Sequence, residues 1–279
     1  MTEHLTDRVV VFGVDGVRHD TLLAARTPAV DAIAAAGFLA PFRVNDAGPT
    51  ISGPGWTTIA TGVLATKHRV FNNDLTEHQI SKFPDFLSRA REVGFSTYAA
   101  GSWPQLVTET HGGPIFLGGG SMPCGDDPET AEAFDRADQL VADEAAGVLG
   151  ERDIAAAFVY FGLPDVVAHA EGPTADYAAS VEACDRRIGQ VMAAIRGREP
   201  YAKERWTFVV VTDHGHTDQG GHGGESEQER TAWIAAAGRD VPSRAPEGLE
   251  QADVHAHVLH ALGIAARPAW ELTGRAFCR

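Results

Sequence analysis

Cysteine is scarce in this chain: Cys124, Cys184 and Cys278 are the only three in 279 residues, odd in number and widely spaced. That pattern speaks against a disulfide framework and against a CxxC metal site. Long apolar runs are missing too. None approaches the ~18 residues of a membrane-spanning helix. The start, MTEHLTDRVVVFGVDG, has no basic stretch followed by an apolar one of signal-peptide length. A cytoplasmic protein with reduced thiols and no membrane partner is therefore expected. Positive charge is also in deficit, with 23 Lys and Arg against 38 Asp and Glu and a formal net charge of −15. Duplex nucleic-acid binders present a basic face, and this composition argues against one. The same acidity repels anionic substrates unless bound cations reverse its sign locally. No Ser/Pro tract, charge block or internal repeat marks a linker, so residues 1–279 are expected to form one domain. The oligomeric state is not readable.

What is present is an alternation of two periods. Short β-branched or apolar runs at 8–14, 38–44, 95–100, 155–161, 206–212 and 232–237 read as strands. Between them lie helical patterns. Thr27–Gly37 has Thr27 at the N-cap, Pro28 at the first position and Gly37 as the stop. Pro84–Val93 is amphipathic, Pro128–Leu149 long and acidic, Thr174–Arg196 capped by Thr174, and Asp253–Leu262 closes the set. Residues 52–61 read as loop into helix, and the Gly-rich stretch 111–127 as irregular. Strand–helix alternation predicts an α/β three-layer sandwich: a mostly parallel central sheet with helices on both faces. Ligand sites in such sheets form at the carboxyl ends of strands, and Asp15, Asp165 and Asp213 all follow apolar runs there.

Each of these carboxylates has a companion. Asp213 precedes His214, so one oxygen and one nitrogen donor sit side by side. Zinc accepts both at about 2.0–2.2 Å. His216 and His222 follow in a stretch with five Gly between 215 and 224, where backbone can approach a ligand closely. Asp165 and His169 are four apart and share a helical face, so the pair can hold one ion. Taken singly, Asp15-Gly16 is an ordinary turn pair and Asp165/His169 an ordinary surface pair. Ser52 stands at a predicted helix start, where free N–H groups and the dipole favour an alkoxide and bind phosphate; simple N-capping is the plainer role. Asn73, in FNND, offers an amide donor to a phosphate oxygen or serves only as a turn residue. Tyr160 and Trp206 read as plain core.

Together these residues resemble the alkaline phosphatase superfamily, in particular its nucleotide pyrophosphatase/phosphodiesterase branch and that branch's small bacterial members. The resemblance runs in chain order from Asp15 through the PTxS pattern ending at Ser52, the turn Lys67–Asn73, Asp165/His169 and Asp213/His214 to His222. A terminal LTGR at Leu272–Arg275 extends it. It implies two divalent metal ions, zinc first, with manganese or iron also suited to Asp/His ligation. Asp15, Asp213 and His214 would hold one ion, with Ser52 completing its sphere. Asp165, His169 and His222 would hold the other, and His216 competes with His222 for that place. Ser52 is the implied nucleophile, through a phospho-serine intermediate, and Asn73 the implied phosphate contact.

Several departures shape the expected substrate. Animal-type relatives carry an aromatic where this chain has Gly53 and a His where it has Trp56. His214 and His222 are too close in sequence for a cap insertion between them. Substrate contacts are then expected from Phe71, Trp103 and the Gly-rich stretch. Sulfatases share the fold, but SGPGW has Ser52 where they have Cys and Trp56 where they have Arg. Cofactor-independent phosphoglycerate mutases need a long inserted domain, for which there is no room. The expected activity is hydrolysis of a small phosphorylated substrate, with a diester or pyrophosphate bond favoured. A monoesterase needs a further cation near the phosphate, for which Arg18 and Lys67 are the candidates. A non-catalytic phosphate-ester-binding protein on the same fold is the alternative from another class.

Overall fold

The computed structural model describes residues 5–278; the first four residues of the stretch read for a leader lie outside these. Six strands make one sheet: β1 (Thr6–Val14), β2 (Phe38–Arg43), β3 (Thr97–Gly101), β4 (Ala156–Phe161), β5 (Glu204–Val211) and β6 (Thr231–Ala237). Their order is β2-β6-β5-β1-β4-β3. The pairs β5–β1, β1–β4 and β4–β3 are parallel, while β6 runs antiparallel to both β5 and β2. The sheet is thus parallel except for one reversed strand.

The central strands are apolar on both faces, as burial between two helical layers requires. In β1, Val9 and Val11 point into one core, and Val10, Phe12 and Val14 into the other. The helices are α1 (His19–Ala24), α2 (Pro28–Ala36), α3 (Ser52–Thr61), α4 (Ala65–His68), α5 (Phe86–Glu92), α6 (Pro104–Val107), α7 (Ala131–Glu151), α8 (Leu163–Glu171), α9 (Ala175–Arg196), α10 (Glu227–Arg230) and α11 (Asp253–Ala261). Helices α3, α5 and α11 cover the first face through Trp56, Ile59, Phe86, Leu87, Val254 and Val258. Helices α1, α2, α7, α8 and α9 cover the second. This is the three-layer α/β arrangement expected from the alternation. Among the described residues no helix is long and apolar enough to cross a membrane.

Helix starts differ from expectation where a side chain chooses them. Helix α7 begins at Ala131 rather than 128, because the Thr130 side chain accepts from the Ala133 N–H. Helix α5 begins after Asp85, which accepts from Ser88. Thr27 precedes α2 but makes no side-chain cap. The Asp185 carboxylate of α9 takes the Ala29 and Val30 N–H groups instead, at 3.1 and 2.9 Å. A cap supplied from 155 residues away is invisible in a local pattern.

A buried carboxylate positions the start of α8. Asp138 of α7 accepts from the Gly162 and Leu163 N–H groups, both at 3.0 Å, and from Ser102 Oγ at 2.6 Å. It thereby holds the first turn of α8 against the end of β4. Burial pushes its carboxyl up to about 6, against the pull of those donors.

Candidate metal centre and nucleophile

Strands β5, β1 and β4 are neighbours, and their carboxyl ends set down Asp213, Asp15 and the start of α8 side by side. Asp15 follows Val14, and Gly16 turns the chain with φ 63°. Asp165 lies in the first turn of α8 with His169 four residues on. Helix α3, which follows β2 in the chain and packs on the first face of the sheet, brings Ser52 in, and Gly55 packs its first turn onto Asp213, whose Cβ is 2.9 Å from where a side chain would begin.

Two sets of donors result. Asp15, Asp213 and His214 are fully buried, with ligand atoms within 4.8 Å of one another. His214 Nε2 is 3.3 Å from Asp213 Oδ2 and 3.7 Å from Asp15 Oδ1. Asp165, His169 and His222 form a second, more exposed set. Here His222 Nε2 is 3.4 Å from Asp165 Oδ1, and His169 Nε2 is 3.5 Å from Asp165 Oδ2. A third grouping, Asp165, His214 and His216, lies between them and shares a residue with each. Donors tetrahedrally bound at 2.0–2.2 Å stand about 3.3–3.6 Å apart, so most of these spacings suit a shared ion.

The hydrogen bonds also fit a metal. Nδ1 of His214, His216 and His222 lies 3.0, 2.7 and 2.7 Å from the carbonyls of Gly215, Gly220 and Thr50. A carbonyl only accepts, so each Nδ1 carries a proton and each Nε2 is the ring atom turned into the site, the orientation histidine ligands take. Asp165 Oδ1, Asp213 Oδ2, His214 Nε2 and His216 Nε2 are buried without any hydrogen-bond partner. Each such atom costs about 1–3 kcal/mol if nothing satisfies it, and a cation would satisfy them together.

Electrostatics agree. Burial, then repulsion from Asp165, raises the Asp15 carboxyl to about 6, and burial and Asp15 push Asp213 well up. Burial pulls Asp165 the same way, but His216, His214 and His222 outweigh it and hold it below the usual range. Burial lowers His214 and His222 to about 4. At neutral pH His214 and His222 are uncharged and available as donors, and crowded carboxylates await a counter-charge.

Ser52 is the first residue of α3, 95% buried, with Oγ 3.5 Å from Asp15 Oδ1. It is not an N-cap: Ile51 holds that position and caps nothing. Asn73 Oδ1 accepts from the Gly53 N–H at 2.8 Å. This bond fixes the amide with its NH₂ group turned away from Gly53. Asn73 itself is exposed at the mouth of the site. Gly53 admits no side chain, since a Cβ would meet the Asn72 carbonyl oxygen at 2.2 Å. The aromatic of animal-type relatives therefore has no place here. Phe71, 47% exposed, stands two residues from Asn73, and Trp103 packs against Tyr160 with ring centroids 6.5 Å apart.

Three expectations change. Tyr160 is more than core: its hydroxyl donates to Asp15 Oδ2 at 2.6 Å. Trp56, the family's His position, donates its indole N–H to the same oxygen at 2.8 Å. Between them they occupy Oδ2 and leave Oδ1 facing Ser52 and His214. Strand alternation could place Tyr160 on the α3 face, but nothing in the sequence marks its partner. Thr50, the Thr of the PTxS pattern, had no role assigned to it. It orients His222 by its carbonyl, accepts from Gly223 at 2.9 Å and donates to the Gly224 carbonyl at 3.1 Å. Finally, Arg18 and Lys67 are not free cations. Arg18 is paired to Asp20 and Asp218 at 2.5 and 2.6 Å, and Lys67 Nζ donates to the Glu271 carbonyl at 2.6 Å.

Comparison with known proteins bears on this geometry. Residues 9–227 match the family model for type I phosphodiesterase / nucleotide pyrophosphatase. The chain belongs to this family. It is a branch of the alkaline phosphatase superfamily, and solved structures share the fold. Murine ectonucleotide pyrophosphatase / phosphodiesterase 5 is 15% identical, with a TM-score of 0.67 over 94% of this chain and 96% of its own. The phosphonate monoester hydrolase of Agrobacterium radiobacter is 16% identical, with a TM-score of 0.70 over 97% and 76%. A 2-O GAG sulfatase is 14% identical, with a TM-score of 0.74 over 97% and 73%. No curated protein matches the chain by sequence. Family membership makes the protein a hydrolase of this superfamily and supports phosphoester hydrolysis in general.

Proposed function

We propose that this chain is a phosphodiesterase or nucleotide pyrophosphatase acting on a small phosphorylated substrate, with two divalent metal ions and Ser52 as nucleophile. The observation that carries the reading is the placement of Ser52 Oγ beside Asp15, where one Asp/Asp/His set adjoins an Asp/His/His set. Asp15, Asp213 and His214 would hold one ion, and Asp165, His169 and His222 the other. Zinc suits the mixed oxygen and nitrogen donors, and manganese or iron would also be accepted. Bound there, the ions supply Lewis-acid polarisation of a phosphoryl oxygen and neutralise its charge.

The rest is done by the chain. Ser52 Oγ attacks phosphorus. The Oγ–P bond forms as the Oγ–H proton passes to solvent, the bond from phosphorus to the leaving oxygen breaks with the electron pair going to that oxygen, and water later cleaves the phospho-serine, its oxygen going to phosphorus and a proton returning to Oγ. The N-terminal end of α3 favours the anionic oxygens through its dipole. Asn73 presents its amide NH₂ to a non-bridging oxygen, while its own oxygen stays on Gly53. Buried Tyr160 and Trp56 hold Asp15 in one orientation. The engagement of Arg18 and Lys67 supports a diester over a monoester, whose extra negative charge needs another cation. We further propose that residues 1–279 act as one catalytic domain without a cap between His214 and His222.

The test is steady-state kcat/KM of the zinc-loaded protein on bis-p-nitrophenyl phosphate and p-nitrophenyl phosphate, with Ser52→Ala as control. A Ser52-dependent preference for the diester is expected. A Ser52-dependent preference for the monoester would overturn the substrate class, and activity indifferent to Ser52 would overturn the nucleophile.

A further inference from the structure

His216 has no part in that two-metal scheme, yet its surroundings are those of a ligand. It is completely buried. Its Nδ1 is fixed on the Gly220 carbonyl at 2.7 Å, so its Nε2 is the ring atom turned toward Asp165. It lies 3.0 Å from Asp165 Oδ1, and neither atom has a hydrogen-bond partner beyond this contact. A buried imidazole nitrogen facing a buried carboxylate oxygen is a donor pair that a cation would satisfy. The backbone is bare on this side: a Cβ at Gly16 would come within 2.5 Å of His216 Nε2 and 2.8 Å of Asp165 Oδ1. Gly220, whose carbonyl aims the ring, is itself locked against α8, since a Cβ there would meet the Ala168 oxygen at 2.0 Å. The loop that carries His216 is thus seated on the helix that carries Asp165.

We infer that His216 is a metal ligand, forming with Asp165 and His214 a buried third seat that takes the first ion to bind. The inference rests on the two-metal reading. Asp165 Oδ1, His214 Nε2 and His216 Nε2 lie within 4.8 Å of one another. His214 has one Nε2 lone pair and can serve one ion at a time, so the central seat competes with the Asp15/Asp213 seat for it. The outer seat is the more open one, because the His169 side chain is 48% exposed. An ion in the central seat has two fixed, buried imidazoles and a carboxylate whose second oxygen remains free for the outer ion. The centre would then fill in order, from the buried middle outward.

Zinc alone is the probe. Affinity for the first equivalent is measured by competition with a chromogenic chelator, and imidazoles per zinc are counted by X-ray absorption at one ion per chain. Wild type, His216→Gln, His216→Cys and His169→Gln are compared after melting curves of the metal-free forms. His216→Gln is expected to weaken the first ion by about 10-fold or more and to remove one imidazole. His216→Cys is expected to restore affinity and add a sulfur scatterer. His169→Gln should leave the first ion at wild-type affinity with two imidazoles, an outcome that does not depend on any His216 variant folding. Wild-type affinity in His216→Gln, no sulfur in His216→Cys, or a lost imidazole in His169→Gln would each overturn the inference while sparing the two-metal reading. Failure of the wild type to bind zinc at all would sink both.

Discussion

Replacing Tyr160 by Phe removes one hydroxyl and little else. The ring keeps its edge contact with Trp56, at a centroid distance of 5.3 Å, and its place over Trp103. What is lost is a 2.6 Å donor to Asp15 Oδ2, leaving that oxygen with the Trp56 indole N–H alone. A hydrogen bond to a charged group contributes about 1.5–3 kcal/mol. At about 1.4 kcal/mol per factor of ten, zinc binding at Asp15 should weaken by roughly 10- to 100-fold, the range usual for partners of metal ligands. The proton pulls the same way. Burial and Asp165 already raise the Asp15 carboxyl to about 6, and Tyr160 is one of the donors that restrains it. Without the hydroxyl the carboxyl rises further, and protons compete better with the metal. The assay is chelator competition at pH 7, read over both zinc equivalents, with a melting curve to confirm folding. Unchanged affinity in a folded variant would refute the assignment of Asp15 as a ligand held by Tyr160.

Further consequences are open to measurement. Ser52→Ala should bind zinc but lose roughly 10³-fold or more in kcat/KM on bis-p-nitrophenyl phosphate; comparable turnover would remove Ser52 from the chemistry. Gly53→Ala forces a Cβ against the Asn72 oxygen and should cost about 1–3 kcal/mol in urea unfolding, with a raised KM as Asn73 shifts. Stripping metal exposes the raised carboxyls of Asp15 and Asp213. Their folded values lie above the unfolded one, so the contribution of these two groups to metal-free stability is full at low pH and is lost as pH rises through about 6. The drop in Tm on adding chelator should therefore be larger at pH 8 than at pH 5.5, and the reverse order would contradict this. Away from the site, burial lowers His255 to about 4, with Nδ1 on the Ala60 carbonyl. Its contribution to stability is full above the unfolded value of about 6.5 and falls with pH toward 4, by about 1.4 kcal/mol per unit. His255→Leu should flatten the stability–pH curve by that slope between pH 6 and 5.

The parts of this molecule that depend on local chemistry were readable in advance. Strand runs such as 155–161 and 206–212 announce themselves because both sheet faces are covered, and Asp15, Asp165 and Asp213 fall at carboxyl ends for topological reasons. The reversal of β6 was not readable, since pairing direction leaves no mark on an apolar run such as AWIAAA. Nor were contacts made across long sequence gaps. The Asp185 cap on α2, Asp138 beneath α8, and Tyr160 with Trp56 on Asp15 join residues tens to more than a hundred positions apart. Charge partners were hidden for the same reason: Arg18 beside a metal motif looks free until Asp218 is folded against it. The choice between His216 and His222 stayed open because a Gly-rich loop has no period to place its side chains. The fold answers with a position for each, both against Asp165 Oδ1.

The most direct test of the nucleophile and its metal centre is covalent. Zinc-loaded protein is mixed with bis-p-nitrophenyl phosphate, quenched in acid within the first turnover, and its peptides are mapped by mass spectrometry. A phosphoryl adduct on Ser52, absent from Ser52→Ala and from chelated protein, is the expected result. Burst release of p-nitrophenol with no adduct on Ser52, or an adduct on another residue, would contradict the assignment at its centre.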